Sequence, residues 1–254
     1  MKPTLEQRIV NAVNKGRCAR IPFITAGFPT CDSFVPTLRD LDACGADIIE
    51  VGIPFSDPVA DGPVVEEASR SALENGVTLG RVLDELARLS PRLEAGLVLM
   101  GYYNPFLQYG LARLVEDADR AGVQGFIVPD LPLGEDDELR ALLAAKGMDL
   151  VALVGPNTGE ERMREYAAVA SGYVYAVSVL GTTGARESLP ADAAATLARA
   201  KKCFSLPVAL GFGIQRPEQI AAMEVRPDAA VFGSALMRHI GEGKSVRSFM
   251  EPWI

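Results

Sequence analysis

The sequence predicts an α/β fold: a single (β/α)8 TIM barrel over residues 1–254, with an extra N-terminal helix. Short β-branched apolar runs alternate with amphipathic stretches, and each such pair closes on a glycine or proline stop. Eight of these units fit within 254 residues, the size of a closed barrel of right-handed parallel crossovers. A doubly wound open sheet is the alternative, but no early Gly-x-Gly-x-x-Gly opens a helix. The composition does not shift midway, which favours one domain over two.

The elements follow in order. Residues from Met1 to Arg8 begin a short amphipathic helix, and the first strand lies near Ile21 to Thr25. Phe34, Leu38 and Leu41 then mark a helix that Asp32 or Ser33 caps and Gly45 ends. Ile48, Ile49 and Val51 form a buried strand, which Pro54, Pro58 and Gly62 turn into a long loop. Leu79, Val82, Leu83 and Leu86 give the next helix, Leu97 to Met100 the third strand, and Leu111, Leu114, Val115 and Ala118 a helix stopped by Gly122. Strand four is Phe126 to Val128, and the acidic run from Glu135 to Glu138 favours a helix start. Strand five is Leu150 to Val154, with Thr158 and Glu161 at capping-box spacing behind it. Tyr173 to Val177, Val208 to Leu210 and Ala229 to Phe232 complete the strands, with helices after Pro190 and Pro217.

The chain carries a net charge of −8, which argues against nucleic acid as a partner. No apolar run reaches the length of a membrane span, and the N-terminus has no apolar signal region. Cys18, Cys31, Cys44 and Cys203 show neither metal spacing nor a disulfide framework, so reduced thiols in a cytoplasmic protein are expected. His239 is the only histidine, which excludes a multi-histidine metal site.

The chemistry-bearing residues collect at the C-terminal ends of the strands, where a barrel keeps its active site. Glu50 interrupts the second strand on the face shared with Ile48, and Asp61 returns a second carboxylate from the loop. Two carboxyls in different environments can divide acid and base work, although a structural ion pair and a solvated loop aspartate would read the same way. Gly184, Gly213, Gly233 and Ser234 lie on the loops after strands six, seven and eight. Glycines let the backbone approach a ligand, and helix-start amides bind an anion without a basic side chain, so this corner reads as a phosphate cradle.

The run from Glu50 to Pro63 (Glu-Val-Gly-Ile-Pro-Phe-Ser-Asp-Pro-Val-Ala-Asp-Gly-Pro) is followed by Tyr102-Tyr103-Asn104-Pro105, Val128-Pro129-Asp130-Leu131-Pro132, Gly181-Thr182-Thr183-Gly184-Ala185-Arg186 and Gly211-Phe212-Gly213-Ile214. In this order, over essentially the whole chain, these motifs resemble the tryptophan synthase alpha subunit family. The resemblance implies cleavage of indole-3-glycerol phosphate to indole and glyceraldehyde 3-phosphate, without metal or cofactor. It implies that Glu50 is the general acid/base and that Asp61 accepts the indole N–H, with Thr183 joining Asp61 when the strand-six loop closes. Phe23, Tyr102, Tyr175 and Phe212 match positions that line the indole pocket or orient Glu50. Gly184, Gly213, Gly233 and Ser234 match phosphate-binding positions, and Asp57, Asn104 and Pro105 match the face toward a beta subunit in an alpha2-beta2 complex.

The chain also departs from the family pattern. Thr182 replaces a valine and Leu180 a smaller residue in the strand-six loop, Glu66 stands where glutamine is common, and Gly155-Pro156-Asn157-Thr158 replaces an Ala-Pro-Thr pattern. The altered loop leaves two other readings open: a free-standing lyase supplying indole to another pathway, and a catalytically weak barrel that activates a partner. Intact Glu50, Asp61 and Thr183 argue against the second of these.

Overall fold

A computed structural model describes residues 2–177, 191–211 and 213–254. The strands are β1 (Ala19–Thr25), β2 (Ile48–Gly52), β3 (Gly96–Met100), β4 (Gly125–Ile127), β5 (Asp149–Leu150), β6 (Ala152–Val154), β7 (Val174–Val177), β8 (Val208–Gly211) and β9 (Ala229–Phe232). All pair in parallel, in the order β5-β4-β3-β2-β1-β9-β8-β7-β6. The expected fifth strand is therefore two segments. It breaks at Val151, whose N–H donates to the Phe126 carbonyl at 2.9 Å, and the chain passes there from pairing with β4 to pairing with β7. That hand-over brings the two ends of the sheet together, so nine segments make eight staves of a barrel.

The helices are α1 (Leu5–Asn14), α2 (Cys31–Ala43), α3 (Pro63–Glu74), α4 (Leu79–Ala87), α5 (Tyr103–Tyr109), α6 (Leu111–Ala121), α7 (Asp137–Ala145), α8 (Glu160–Ala167), α9 (Ala191–Cys203), α10 (Pro217–Ala221), α11 (Ser234–Gly241) and α12 (Val246–Met250). Helix α1 is the expected extra one, and a capping box between Thr4 and Gln7 starts it. It is tied across the N-terminal end of the barrel, where Arg8 Nε donates to Gln124 Oε1 at 3.2 Å and Gln124 Nε2 donates to the Pro3 carbonyl at 2.9 Å.

Two helices stand where the sequence predicts loops. Helix α3 follows the β2 loop directly, with Gly62 as N-cap and Pro63 in its first turn, and its buried stripe is Val65, Ala68, Ser69 and Ala72. That stripe is small and partly polar, which weakens the periodic signal. Helix α5 opens at the Tyr-Asn-Pro run, because Pro105 falls in a first turn that needs no amide there. Two caps also differ. Thr30 rather than Asp32 or Ser33 caps α2, with Ser33 reciprocating as the third helical residue. Gly159 caps α8, and Thr158 Oγ1 instead accepts the Gly155 N–H at 2.9 Å. No described helix is long and apolar enough to cross a membrane.

Candidate active site

Glu50 is the middle residue of β2, in register with Phe23 on β1 and Val98 on β3, and it is 0% exposed. Tyr173, just before β7, donates its hydroxyl to Glu50 Oε1 at 2.7 Å, while Oε2 has no partner among the described residues. Burial pushes the Glu50 carboxyl up to about 8, and the Tyr173 hydrogen bond opposes that rise. At neutral pH the group is therefore mostly a neutral acid. Tyr173 was not among the expected site residues. Its signal was available, since strand alternation puts it on the same face as Tyr175.

Asp61 is positioned by its own loop and by Tyr102. The Asp61 N–H donates to the Pro58 carbonyl at 3.0 Å, and the Ala60 N–H donates to the Tyr102 hydroxyl at 2.9 Å. That hydroxyl in turn bonds the Asp61 carboxylate. Burial raises Asp61 to about 6, the Tyr102 bond pulls it down, and the like charge of Glu66 pushes it up. The residue that departs from the family's glutamine thus acts on the catalytic candidate itself. Tyr175 is buried in the field of both acids: burial raises its pKa most, then Glu50, then Asp61.

A cleft at this end of the barrel is lined by Phe23, Asp61, Tyr175, Gly213, Gly233 and Ser234 among others. A smaller cavity beside it shares Phe23 and Asp61 and reaches Tyr102. Gly213 has φ +88°, a conformation that favours glycine, and a Cβ there would meet nothing within 4 Å. Gly233 is the N-cap of α11, and among the described residues no side chain caps that helix start. Arg238, one turn further along, also lines the cleft, and sequence reasoning did not single it out.

Most of the expected residues fall into four groups. Phe23, Asp61, Tyr175, Gly213, Gly233 and Ser234 share the main cleft. Glu50 lies buried and is not among the cleft's lining residues, and the tyrosine that holds it is Tyr173 rather than Tyr102 or Tyr175. Thr183, Gly184 and Phe212, with Leu180 and Thr182, fall outside the described residues. Asp57 and Asn104 are exposed and Pro105 is half-buried.

Two carboxyls with raised pKa values at one strand end, sharing a barrel mouth with an uncapped helix start, define a site suited to acid/base chemistry on an anionic substrate. The family model for the tryptophan synthase alpha chain matches residues 9–251. The tryptophan synthase alpha chain of Nitratidesulfovibrio vulgaris strain DP4 is 66% identical over 249 residues, covering 98% of this chain and 97% of that one. That of Desulfovibrio desulfuricans is 57% identical over 251 residues, covering 98% of each. A solved chain of Mycobacterium tuberculosis tryptophan synthase superposes with a TM-score of 0.90 at 31% identity, covering 99% of this chain and 96% of that one. The chain belongs to the tryptophan synthase alpha chain family.

Proposed function

We propose a division of labour among these residues for the family's reaction, the retro-aldol cleavage of indole-3-glycerol phosphate to indole and glyceraldehyde 3-phosphate. The chain carries out this carbon–carbon lyase reaction as the alpha subunit of tryptophan synthase, in tryptophan biosynthesis. Protonated Glu50 gives its proton to the indole ring carbon that bears the glycerol chain. Asp61, ionised, accepts the indole N–H and balances the positive charge that develops on the nitrogen. The Glu50 carboxylate then takes the proton of the neighbouring hydroxyl as the carbon–carbon bond breaks. The bond's electron pair returns to the ring and discharges the nitrogen, and Glu50 ends as it began. Because Glu50 is not among the cleft's lining residues, it must rotate off Tyr173 to reach the ring carbon. Gly213, Gly233 and Ser234, with Gly184, hold the phosphate, and Phe23 and Tyr175 flank the indole. The family resemblance adds Thr183 as a partner for Asp61.

One observation carries this reading: the environments push the two carboxyls up to different values, about 8 for Glu50 and about 6 for Asp61. Activity needs Asp61 ionised and Glu50 protonated. The pH profile of kcat/KM should therefore rise through about 6 and fall through about 8. The substrate phosphate titrates near the acid limb too, so the alkaline limb is the diagnostic one. Tyr173→Phe removes the hydrogen bond that favours the Glu50 carboxylate. Glu50 then stays protonated to higher pH, and the alkaline limb should move upward. An unmoved or lowered limb would separate Tyr173 from Glu50.

For the partner, Val59 is 85% exposed and Leu107 is 51% exposed, close in sequence to Asp57 and to Asn104 and Pro105. Apolar side chains left in water at the mouth of the site support docking of a beta subunit there. A partner that binds the closed form better raises activity by linkage. Glyceraldehyde 3-phosphate release should be slow from the isolated chain and rise strongly when a folded beta subunit is added. Full activity alone, unchanged by the partner, would instead favour a free-standing lyase. We place the protein in the cytoplasm, which the acidic surface balance and the four free thiols support.

A further inference from the structure

We propose that the chain has a second anion site, at the opposite end of the barrel from the active site, that takes a small phosphate-bearing metabolite. A cavity of about 510 Å³ opens at the N-terminal ends of β1 and β9, lined by Arg17, Arg20, Lys201, Arg226, Asp228 and Trp253 among others. That is the size of a metabolite pocket rather than of a bare ion.

The charges around it do not balance. Asp47 is gripped by Arg17 at 2.6 and 2.7 Å and also accepts the Arg20 backbone N–H at 2.8 Å. Asp228 accepts Lys201 Nζ at 2.8 Å on one oxygen and the Val208 N–H at 2.8 Å on the other. Both carboxylates are engaged, and the guanidinium groups of Arg20 and Arg226 have neither. Arg226 is exposed and has no hydrogen-bond or ion-pair partner among the described residues. Arg20 is only 8% exposed, and its guanidinium makes two long contacts of 3.4 Å, to oxygens of Gly45 and Ile254. Even with a terminal carboxylate on Ile254 counted, four cations face three anions.

A buried guanidinium without a carboxylate is costly, and a bound anion would relieve that cost. Burial and the neighbouring Arg17 charge lower the Arg20 pKa by more than the Asp47 charge raises it. The guanidinium fork matches phosphate oxygens in pairs. Trp253, held by stacking on Phe232 at 4.2 Å, gives the cavity an aromatic wall for the rest of the ligand. In a chain of net charge −8, a local surplus of positive charge on this face stands out against its background.

Trp253 is the only tryptophan, so its emission reports this cavity. Wild-type protein titrated with inorganic phosphate should show a saturable change in that emission, absent from a chloride series of equal ionic strength. Gly233→Asp, which blocks the cradle at the other end, should keep the change. Arg226→Glu should weaken it by at least about tenfold while leaving turnover of indole-3-glycerol phosphate as in wild type. Arg20→Gln should weaken it as well, with a thermal melt confirming that the variant is folded. The proposal is overturned if wild type shows no saturable change, if chloride reproduces it, if Gly233→Asp abolishes it, or if Arg226→Glu titrates like wild type.

Discussion

Glu50→Gln is expected to abolish cleavage while leaving the fold and phosphate binding intact. General acid/base catalysis is worth about 10²–10⁴ in rate, and an amide can neither give the ring carbon a proton nor take one from the hydroxyl. The substitution is mild for the structure because of where the carboxyl titrates. With its pKa raised to about 8, Glu50 is a neutral acid at pH 7, close in shape and charge to the amide that replaces it. Tyr173 can donate to the amide oxygen as it does to Oε1. The linkage has a definite sign. A carboxyl whose folded pKa lies above its unfolded value contributes stability below that unfolded value, near 4.5, and loses it as pH rises through about 8. Wild type should therefore lose stability in alkali that Glu50→Gln keeps, and urea midpoints at pH 7 and pH 9 would check this. Turnover above a tenth of wild type in the variant would remove Glu50 from the proton-transfer role.

The order of elements was legible in the sequence because parallel strands buried on both faces read as short apolar runs and their helices carry a periodic stripe. What escaped was set by weaker or longer-range signals. Helix α3 buries Ala68, Ser69 and Ala72, which hardly register as a stripe. The break at Val151 depends on which neighbour each half of the strand pairs with, and no single run of residues encodes that. In the site, Glu50 and Asp61 stood out because a carboxylate at an apolar strand end is costly. Their environments did not stand out. The bond from Tyr173 crosses 123 positions of sequence, and the effect of Glu66 on Asp61 requires α3 to begin where it does. The basic cavity at the other end was invisible for the same reason, since Arg20, Lys201 and Arg226 share no motif.

Gly233→Asp is expected to collapse binding of the phosphate group, and it tests the cradle independently of the acids. Gly233 has φ −128°, so a side chain brings no left-handed strain, and Asp is itself a favoured N-cap. Helix α11 should therefore still form. Two things change in the cleft. A Cβ at this position would meet Phe23 Cδ1 at 2.8 Å and Phe23 Cβ at 3.0 Å, so the ring that lines the cleft must shift. The new carboxylate also takes up the helix-start amides as a cap and puts a negative charge where the phosphate is proposed to sit. At about 4 Å and an effective dielectric of about 20, one such repulsion is on the order of 4 kcal/mol, a factor of roughly 10³ in affinity. Gly233→Ala separates the two causes, because it brings the same Cβ without the charge. Calorimetric titration with glycerol phosphate, each variant also carrying Arg226→Glu so that the cradle alone is read, should show a modest loss for Gly233→Ala and near-complete loss for Gly233→Asp. Equal losses in the two variants would make Gly233 a spacer for Phe23 alone. Wild-type affinity in Gly233→Asp would move the phosphate off this corner of the barrel.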